Sequence, residues 1–429
     1  MPLIQVDFCN YLVALLDFCF ITDIVSVPSS ESYIVFGNLL IVLKDVFIVS
    51  AVRTPVGSFL GTLASINGPQ LGAVAIKKAV ELAGILPGDV EEVYMGAVCQ
   101  AQMGQSPARQ ATIFAGLPDT TDATTVNKVC ASGMKSVSFA AQSIMLGHRD
   151  IMVAGGMESM SNVPFYLQRE AIRLGGTDLK DGIVLDGLTD VYNHCHMANC
   201  AENTNRNMKI SREEQDAYCI QSYKRSKAAW DQGIMQKEIV PVEVRSKKGV
   251  EMVSEDEEYK KVSFEKIPKL RPVFEKDGTI TAGNASKLND AGCALVVMSE
   301  EAIKRTGAKP LARIITFADA ATKPIDFPVA PAYAIPKLYE QSGVKQQDIA
   351  MFEVNEAFSG VAIANMRLCN LDPAKTNIHG GAVSLGHPLG MSGARLLTHL
   401  VHNLEPGEKG IGALCNGGGA ATAMMIEKL

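Results

Sequence analysis

The stretch NKVCASGMKS, residues 127–136, decides how the rest of the chain is interpreted. A polar, β-branched approach (residues 124–126) leads to Cys130, and the small residues that follow predict a helix through about residue 146. The Cys130 sulfur is therefore expected near a helix N-terminus, where unpaired backbone N–H groups and the helix dipole favour thiolate over thiol. A thiolate attacks acyl groups, so Cys130 is a candidate nucleophile; a buried structural cysteine is the alternative from this stretch alone.

Length and composition indicate a globular protein with two or three domains. The chain has 429 residues, of which 47% are hydrophobic and 20% are charged. The formal net charge of −6 gives no support for nucleic-acid binding, which requires a clustered basic excess. The ten cysteines are scattered without a CxxC pair, so reduced thiols in an intracellular compartment are the simplest interpretation.

Residues 1–45 are predicted to be an atypical N-terminal leader of unknown role. Their apolar runs, at residues 11–16 and 39–43, are shorter than the roughly 20 residues that span a bilayer, so no membrane span is expected. No basic residue precedes Lys44, so the segment resembles neither a secretory signal nor an Arg-rich transit peptide. An unusual leader, an extra packing element and a misassigned start codon all stay open.

Strands alternate with helices in the first part of the chain. Strands are predicted at residues 46–50, 92–97 and 150–156, the last ending in a turn at Gly155 and Gly156, and a helix is predicted over residues 70–83. This alternation is typical of a mixed or parallel sheet with helices on its faces.

The second part of the chain repeats this order. Ser392-Gly393-Ala394-Arg395 is expected to open a helix as Ser132-Gly133-Met134-Lys135 does. The repeat predicts a duplicated α/β unit whose equivalent loops meet across a pseudo-dyad. Further segments of the repeat are a strand over residues 311–320, a helix end over 338–343, a strand over 351–354, and a strand with a glycine turn over 412–418. Between the halves, a helix over residues 211–230 and mixed charge over 251–276 indicate an inserted loop-and-helix segment.

Three further stretches supply partners for Cys130. They are NEAF at residues 355–358, GGAVSLGHPLG at residues 380–390 and CNGGG at residues 415–419. The second places His387 in a glycine-rich loop directly before a helix, which suggests close approach of the backbone to a ligand. Taken singly, each stretch is equally explained as a turn, a structural histidine or a buried cysteine.

Together, NKVCASGMKS, NEAF, GGAVSLGHPLGMSGAR and CNGGGAATAM resemble the thiolase family, within it most closely the acetyl-CoA acetyltransferases, from about residue 46 to residue 429. The resemblance implies the thiolase fold: an α/β fold of two duplicated five-stranded mixed-sheet halves in αβαβα layers, with an inserted loop domain. The implied domains after the leader are an N-terminal half (46–165, resumed at 291–310), a CoA-binding loop domain (166–290) and a C-terminal half (311–429).

The resemblance implies reversible Claisen condensation of two acetyl-CoA to acetoacetyl-CoA plus CoA, or thiolysis in reverse, through an acetyl-cysteine. This chemistry needs a nucleophile, a base for a weakly acidic Cα–H and two sites that stabilise oxyanions. By resemblance, Cys130 is the nucleophile, Cys415 is the acid/base, and His387 activates Cys130 and donates to a thioester oxygen. Asn355 holds a water that completes the first oxyanion hole, and the backbone N–H groups of Cys130 and Gly417 form the second.

The resemblance also implies a binding site for CoA thioesters, with no covalently bound cofactor. Ser286 matches the residue that contacts pantetheine, and His196 with Met197 matches the pair that lines the acyl pocket. The segment near the adenine and phosphates matches Lys261, Val262, Ser263 and Lys266, and the substrate set is completed by Phe327 and Phe358. Lys261 and Ser263 depart from the Arg and Asp of the relatives.

Within the family, the mitochondrial subgroup is most similar, and its members bind potassium. The implied potassium ligands are Tyr218, Ala282, Gly283, Ala285 and Val383, where Gly283 replaces an alanine. Residues 326–328 also match that subgroup, which accepts 2-methyl-branched substrates such as 2-methylacetoacetyl-CoA. A homo-oligomer, tetrameric or dimeric, and a mitochondrial location are implied, with the cytosol as the alternative because residues 1–45 do not resemble a transit peptide.

Three related classes compete with this interpretation. A long-chain 3-ketoacyl-CoA thiolase of β-oxidation would carry the same catalytic set, although the loop-domain residues favour the short-chain enzyme. Decarboxylating ketoacyl synthases replace the second cysteine with histidine, and Cys415 argues against them. A catalytically silent acyl-CoA-binding or lipid-binding relative is expected to have lost Cys130, His387 or Cys415, and all three are present.

Overall fold

A computed structural model of the chain describes residues 32–36, 39–169, 174, 176–247 and 249–429. The chain divides into two compact units after residue 44. The described part of the first unit is an antiparallel pair, β1 (Ser32–Phe36) and β2 (Leu39–Leu43). The apolar run predicted at residues 11–16 lies outside the described residues.

The second unit is built from short strands and helices in alternation. In chain order its strands are β3 (Val46–Arg53), β4 (Gly57–Ser58), β5 (Glu92–Gly96), β6 (Asp122–Val126), β7 (Ile151–Ser159), β8 (Phe165–Tyr166), β9 (Lys180–Asp181), β10 (Thr189–Asp190), β11 (Cys195–His196), β12 (Val242–Ser246), β13 (Gly249–Val253), β14 (Asn289–Ser299), β15 (Ala312–Ala321), β16 (Ile349–Val354), β17 (Lys409–Asn416) and β18 (Ala420–Lys428). Its helices are α1 (Gly68–Ala83), α2 (Pro107–Phe114), α3 (Ser132–Met145), α4 (Met197–Met208), α5 (Arg212–Asp231), α6 (Glu300–Thr306), α7 (Pro331–Ser342), α8 (Ser359–Cys369), α9 (Ala382–Leu385) and α10 (Leu389–Asn403). No helix within the described ranges is both long and apolar enough to cross a membrane.

The main sheet repeats one topology twice. Its first half has the strand order β3-β14-β7-β5-β6, its second half has the order β15-β18-β17-β16, and an antiparallel contact between β15 and β3 joins them. Equivalent neighbours run in the same relative direction: β14 is antiparallel to β3 and β7, as β18 is to β15 and β17, whereas β5–β7 and β16–β17 are parallel. A parallel bridge from Phe352 to Thr376 stands where β6 stands in the first half. The predicted α/β fold with duplicated mixed-sheet halves is therefore confirmed.

Helices α3 and α10 form the middle layer of the second unit. They pack on each other and contact strands of both halves of the sheet, whereas α1 and α2 cover the first half and α7 covers the second. Every residue of β7 and β14 is buried, as expected for strands covered on both faces. The predicted domain boundaries at residues 165, 290 and 310 stay a prediction, since residues Asp45–Leu429 form one compact unit.

Two glycines at equivalent positions of the repeat let α3 and α10 approach closely. A Cβ on Gly133 would lie 2.8 Å from the Gly390 carbonyl oxygen and 2.9 Å from the Ala394 nitrogen, and a Cβ on Gly393 would lie 2.6 Å from the Met134 nitrogen. Since α3 follows Cys130 and α10 follows His387, this contact brings the two loops towards each other. Equivalent glycines of the two halves thus bring the loops of Cys130 and His387 together.

Gly133→Ala is expected to destabilise the fold by about 1–3 kcal/mol, because backbone atoms of α10 cannot move away cheaply. The unfolding midpoint in denaturant measures this effect. Gly88→Ala is the matched control, since its Cβ would meet nothing closer than a side-chain atom at 4.0 Å. Equal midpoints for the two variants would contradict the close-packing argument.

Two local predictions are wrong. Gly155 and Gly156 do not form a turn: they lie inside β7, which continues to Ser159. A Cβ on Gly155 would lie 2.0 Å from the Cys293 carbonyl oxygen, and a Cβ on Gly156 would lie 2.0 Å from that of Gly390, so these glycines allow close backbone approach. Helix α10 begins at Leu389, three residues before the predicted start.

Candidate active site

Cys130 lies in the turn between β6 and α3. The residue before it, Val129, has φ of 47°, an outlier for a β-branched residue and a strain that is often found at functional sites. The turn is held by hydrogen bonds from the Lys128 N–H to the Ser132 hydroxyl (2.9 Å) and from the Ser132 N–H to the Val129 carbonyl (3.0 Å). Cys130 is thereby fixed where strand ends and helix begins.

The electrostatics of Cys130 correct the expectation from sequence. Burial raises the pKa of the Cys130 thiol to about 12, although the backbone N–H groups of Gly417 and of Cys130 itself hydrogen-bond the sulfur and act in the opposite direction. Desolvation of the charged form therefore opposes the thiolate that the helix N-terminus and the surrounding N–H groups favour. A base must take the Cys130 proton as the sulfur attacks.

The hydrogen bonds of His387 decide which of its ring nitrogens carries the hydrogen. Its Nδ1 lies 2.6 Å from the Ser392 hydroxyl oxygen, and that hydroxyl donates its one hydrogen to the Pro388 carbonyl at 2.9 Å. The hydrogen between Nδ1 and Ser392 must therefore be on Nδ1, which leaves a lone pair on Nε2. Burial, and then the charge of Arg395, lower the pKa of His387 to about 3, so the resting imidazole is neutral.

Asn355 lies beside Nε2 of His387. The Asn355 N–H donates to the Ala413 carbonyl at 2.9 Å, which continues the pairing of β16 with β17, and its side-chain nitrogen lies 3.4 Å from His387 Nε2. The Asn355 Oδ1 atom is buried and has no hydrogen-bond partner among the described residues. Asn355 therefore keeps spare hydrogen-bonding capacity beside His387.

Cys415 and Gly417 come from the end of β17 and approach the Cys130 turn. Cys415 is fully buried, and its pKa is raised by burial and then by the nearby Cys130 sulfur. A Cβ on Gly417 would lie 3.4 Å from a Val129 methyl carbon and 3.5 Å from the Met197 methyl carbon. The structure thus brings together Cys130, Cys415 and Gly417.

The residues predicted to line the acyl pocket also gather here. Met197, Phe327, Phe358 and Cys415 belong to one buried apolar cluster. His196 precedes α4, where its Nδ1 accepts the Ala198 N–H at 3.0 Å. Burial lowers the pKa of His196, so the neutral ring carries its hydrogen on Nε2. An apolar wall with one N–H donor suits a small acyl group.

The predicted CoA-binding residues fall into two places. The Ser286 N–H donates to the Ala357 carbonyl at 3.1 Å, which puts Ser286 beside the NEAF segment. Lys261 is half-exposed and pairs with Glu257 at 2.8 Å, so its charge is partly neutralised there. Lys261 belongs to the segment predicted to lie near the adenine and phosphates. Among the described residues, this segment does not contact the catalytic residues; its other predicted members are Val262, Ser263 and Lys266.

The predicted potassium ligands are only partly arranged around one point. The carbonyl oxygens of Gly283, Ala285 and Val383 face a common position, and the Lys287 ammonium lies there. The Tyr218 hydroxyl instead donates to the buried Glu356 carboxylate at 2.8 Å. These oxygens suit a monovalent cation, but in this chain a side chain supplies the cation, so the residues do not fit a free potassium ion.

Sequence reasoning missed Ser392, Glu356 and Lys287. Glu356 was quoted within NEAF without a role, yet its carboxylate accepts from the Ser222 hydroxyl (2.8 Å) and the Val383 N–H (3.0 Å). Lys287 directly follows Ser286 in the loop that supplies the predicted carbonyl ligands. A lysine at that position could have indicated that a side-chain cation reaches these carbonyl oxygens.

Comparisons with known proteins agree with this arrangement. The chain matches the family profiles "Thiolase, N-terminal domain" over residues 46–301 and "Thiolase, C-terminal domain" over residues 308–428. It is 61% identical to the mitochondrial acetyl-CoA acetyltransferase of Mus musculus over 389 residues, which are 90% of this chain and 92% of the relative. It is 58% identical to the protein of that name in Homo sapiens over 90% of this chain and 91% of the relative.

A solved structure with a similar fold is the Acat5 thiolase of Ascaris suum in complex with coenzyme A. It has a TM-score of 0.87 and 46% sequence identity, over 90% of this chain and all of that chain. The acetyl-CoA acetyltransferase of Bacillus anthracis also has a TM-score of 0.87, with 37% identity over 90% of this chain and 99% of that chain.

Proposed function

This chain belongs to the thiolase family, and from that premise we propose that it is an acetyl-CoA acetyltransferase which condenses two acetyl-CoA to acetoacetyl-CoA and CoA, or catalyses the reverse thiolysis. The observation that carries the proposal is the juxtaposition of two buried thiols, Cys130 and Cys415, with the Gly417 N–H on the Cys130 sulfur. A protein that only binds acyl-CoA would not need two buried thiols next to each other. The Claisen reaction does, because it needs a nucleophile and a base together.

In the first half-reaction, Cys130 becomes an acetyl thioester. His387 Nε2 takes the Cys130 proton as the sulfur attacks the acetyl carbonyl, and the N–H groups of Cys130 and Gly417 stabilise the oxyanion. The C–S bond to CoA then breaks, and Cys415 gives its proton to the leaving CoA thiolate. The raised pKa of Cys415 suits this step because the resting thiol keeps its proton.

In the second half-reaction, the Cys415 thiolate removes a proton from the methyl group of a second acetyl-CoA. A thiolate in an apolar site is a strong base, as the raised pKa of Cys415 implies. Protonated His387 and a water held by Asn355 stabilise the enolate oxygen. The carbanion attacks acetyl-Cys130, acetoacetyl-CoA is released, and the Cys130 thiolate recovers its proton from His387.

Thiolysis by the purified protein tests this function. Loss of acetoacetyl-CoA in the presence of free CoA is followed, with a long-chain 3-ketoacyl-CoA assayed in parallel. Short-chain activity supports the proposal, and activity only on the long chain would transfer the protein to the β-oxidation class. Inactivity of the folded protein on both substrates would favour the silent binding relative.

Finer assignments rest on the mitochondrial relatives and on the acyl pocket. The buried Phe327 in the turn Pro324–Val329 supports acceptance of a 2-methyl branch, which thiolysis of 2-methylacetoacetyl-CoA measures. The names of the relatives support a mitochondrial location, tested by fractionation of cells that express the full chain. A homo-oligomer, tetrameric or dimeric, is tested by light scattering.

The pH dependence of the reaction follows from the buried state of His387. Its pKa is lowered to about 3, so protonation of the free enzyme at His387 begins only well below neutral pH. We expect kcat/KM for acetoacetyl-CoA to show no acid limb near the ordinary histidine pKa of about 6.5. Rates between pH 5 and 7 measure this; a limb near pH 6.5 that disappears in His387→Asn would contradict it.

A further inference from the structure

The Lys287 side chain ends among three backbone carbonyl oxygens. Its Nζ lies 3.2 Å from the Gly283 oxygen, 2.5 Å from that of Ala285 and 3.4 Å from that of Val383. Two of these oxygens belong to the loop before Lys287 and the third belongs to α9, so the nitrogen bridges separate segments. The face of the Tyr223 ring lies 5.9 Å from the same nitrogen.

The three acceptors require Lys287 to be charged. A neutral amine has two N–H groups and a lone pair, and the lone pair would face the third carbonyl oxygen, whereas an ammonium donates to all three. The carboxylates of Glu258 and Glu356 lie near enough to interact with the charge of Lys287, and the Cys219 thiol donates to the Gly283 carbonyl at 3.2 Å. The pocket therefore surrounds a half-buried cation with carbonyl oxygens and nearby carboxylates.

The Lys287 ammonium lies between the loop that carries Ser286 and the segment that carries His387. Lys287 follows Ser286, the predicted pantetheine contact, and its own carbonyl accepts the His387 N–H at 3.3 Å. Val383 belongs to α9, which leads into the His387 loop. The ammonium thus ties the Ser286 loop to the segment that carries His387.

We propose that the Lys287 ammonium is a built-in monovalent cation, which takes the place of the potassium ion expected from the family resemblance and makes this chain independent of potassium. Potassium and ammonium ions both suit a shell of carbonyl oxygens. A tethered ammonium needs no ion from solution and loses little freedom on binding, because the chain already holds it near its ligands. Lys287 is a positioning residue in this proposal, since it acts through Ser286 and His387.

The test compares potassium and sodium at matched ionic strength. The activity readout rests on the proposed thiolase function, and wild-type thiolysis is expected to be equal in the two salts. Lys287→Ala is expected to lower kcat/KM up to about 100-fold in sodium, as the two loops lose their common tie. Potassium or ammonium chloride should restore much of this loss, because the truncated side chain leaves room for an ion.

Lys287→Met and Lys375→Met are the matched controls. Methionine fills most of the volume without charge, so Lys287→Met should lose activity and show no rescue by potassium. Lys375 donates to a single backbone carbonyl, that of Ile349 at 2.8 Å, and its replacement should change kcat/KM little in either salt. Wild-type activation by potassium of several fold, or Lys287→Ala with unchanged kcat/KM, would overturn the proposal.

Thermal unfolding supplies a readout that does not depend on the reaction. The midpoint of wild-type protein should be the same in potassium and sodium, whereas that of Lys287→Ala should be higher in potassium. If the protein proves inactive on every substrate, the proposed function fails, and this comparison still decides the cation proposal. Wild-type stabilisation by potassium, or no potassium effect on Lys287→Ala, would reject it.

Discussion

Replacing Cys130 with alanine is expected to lower the rate of acetoacetyl-CoA thiolysis by about 10⁴- to 10⁶-fold, the size of effect seen when a covalent nucleophile is removed. In the proposed mechanism the sulfur forms the bond that divides the reaction into two steps, and the Gly417 N–H hydrogen-bonds that sulfur. Steady-state rates give the loss. Mass spectrometry of the protein after exposure to acetyl-CoA should show an acetyl group on wild-type Cys130 and none on the variant.

Cys99→Ala is the matched control for this substitution. Cys99 is also buried, and its thiol lies near enough to Cys130 for the two charges to interact, but the mechanism gives it no role. We expect Cys99→Ala to keep its rate within a few fold and to keep the acetyl group on Cys130. A comparable loss in both variants would show that a small cavity, not the missing nucleophile, explains the effect.

The sequence predicted many elements of the fold because short apolar runs bounded by glycines are local signals, and the same order of elements occurs twice. Residues 46–50, 92–97 and 351–354 alternate with helices that end at glycines, and each is a strand in the structure. The candidate residues of the site were predicted from four short motifs placed at the ends of such elements. Their roles came from the resemblance to the thiolase family, and the repeat predicted that equivalent loops of the two halves meet across a pseudo-dyad.

What sequence could not predict depends on contacts between distant segments. Gly155 reads locally as a turn, but the close approach of Cys293 on β14 holds it inside a strand. The thiolate expected from the helix N-terminus ignores burial, which the complete fold imposes on Cys130. Lys287 is polar and ordinary in sequence, and only the fold places its ammonium between two loops.

Cys415→Ala is expected to separate the two half-reactions. Full turnover should fall by about 10²- to 10⁴-fold, the usual contribution of a positioned acid/base, because the proposed mechanism gives Cys415 the proton of the acetyl-CoA methyl group. Acetylation of Cys130 should still reach completion, only more slowly, since a thiolate leaves without much help from an acid. The acetyl-enzyme therefore accumulates, which mass spectrometry detects, and exchange of the acetyl-CoA methyl hydrogens with deuterated solvent should be lost. Acetylation to the wild-type extent, with exchange abolished, would assign the Cα proton to Cys415, whereas exchange at the wild-type rate would transfer the base role to another residue.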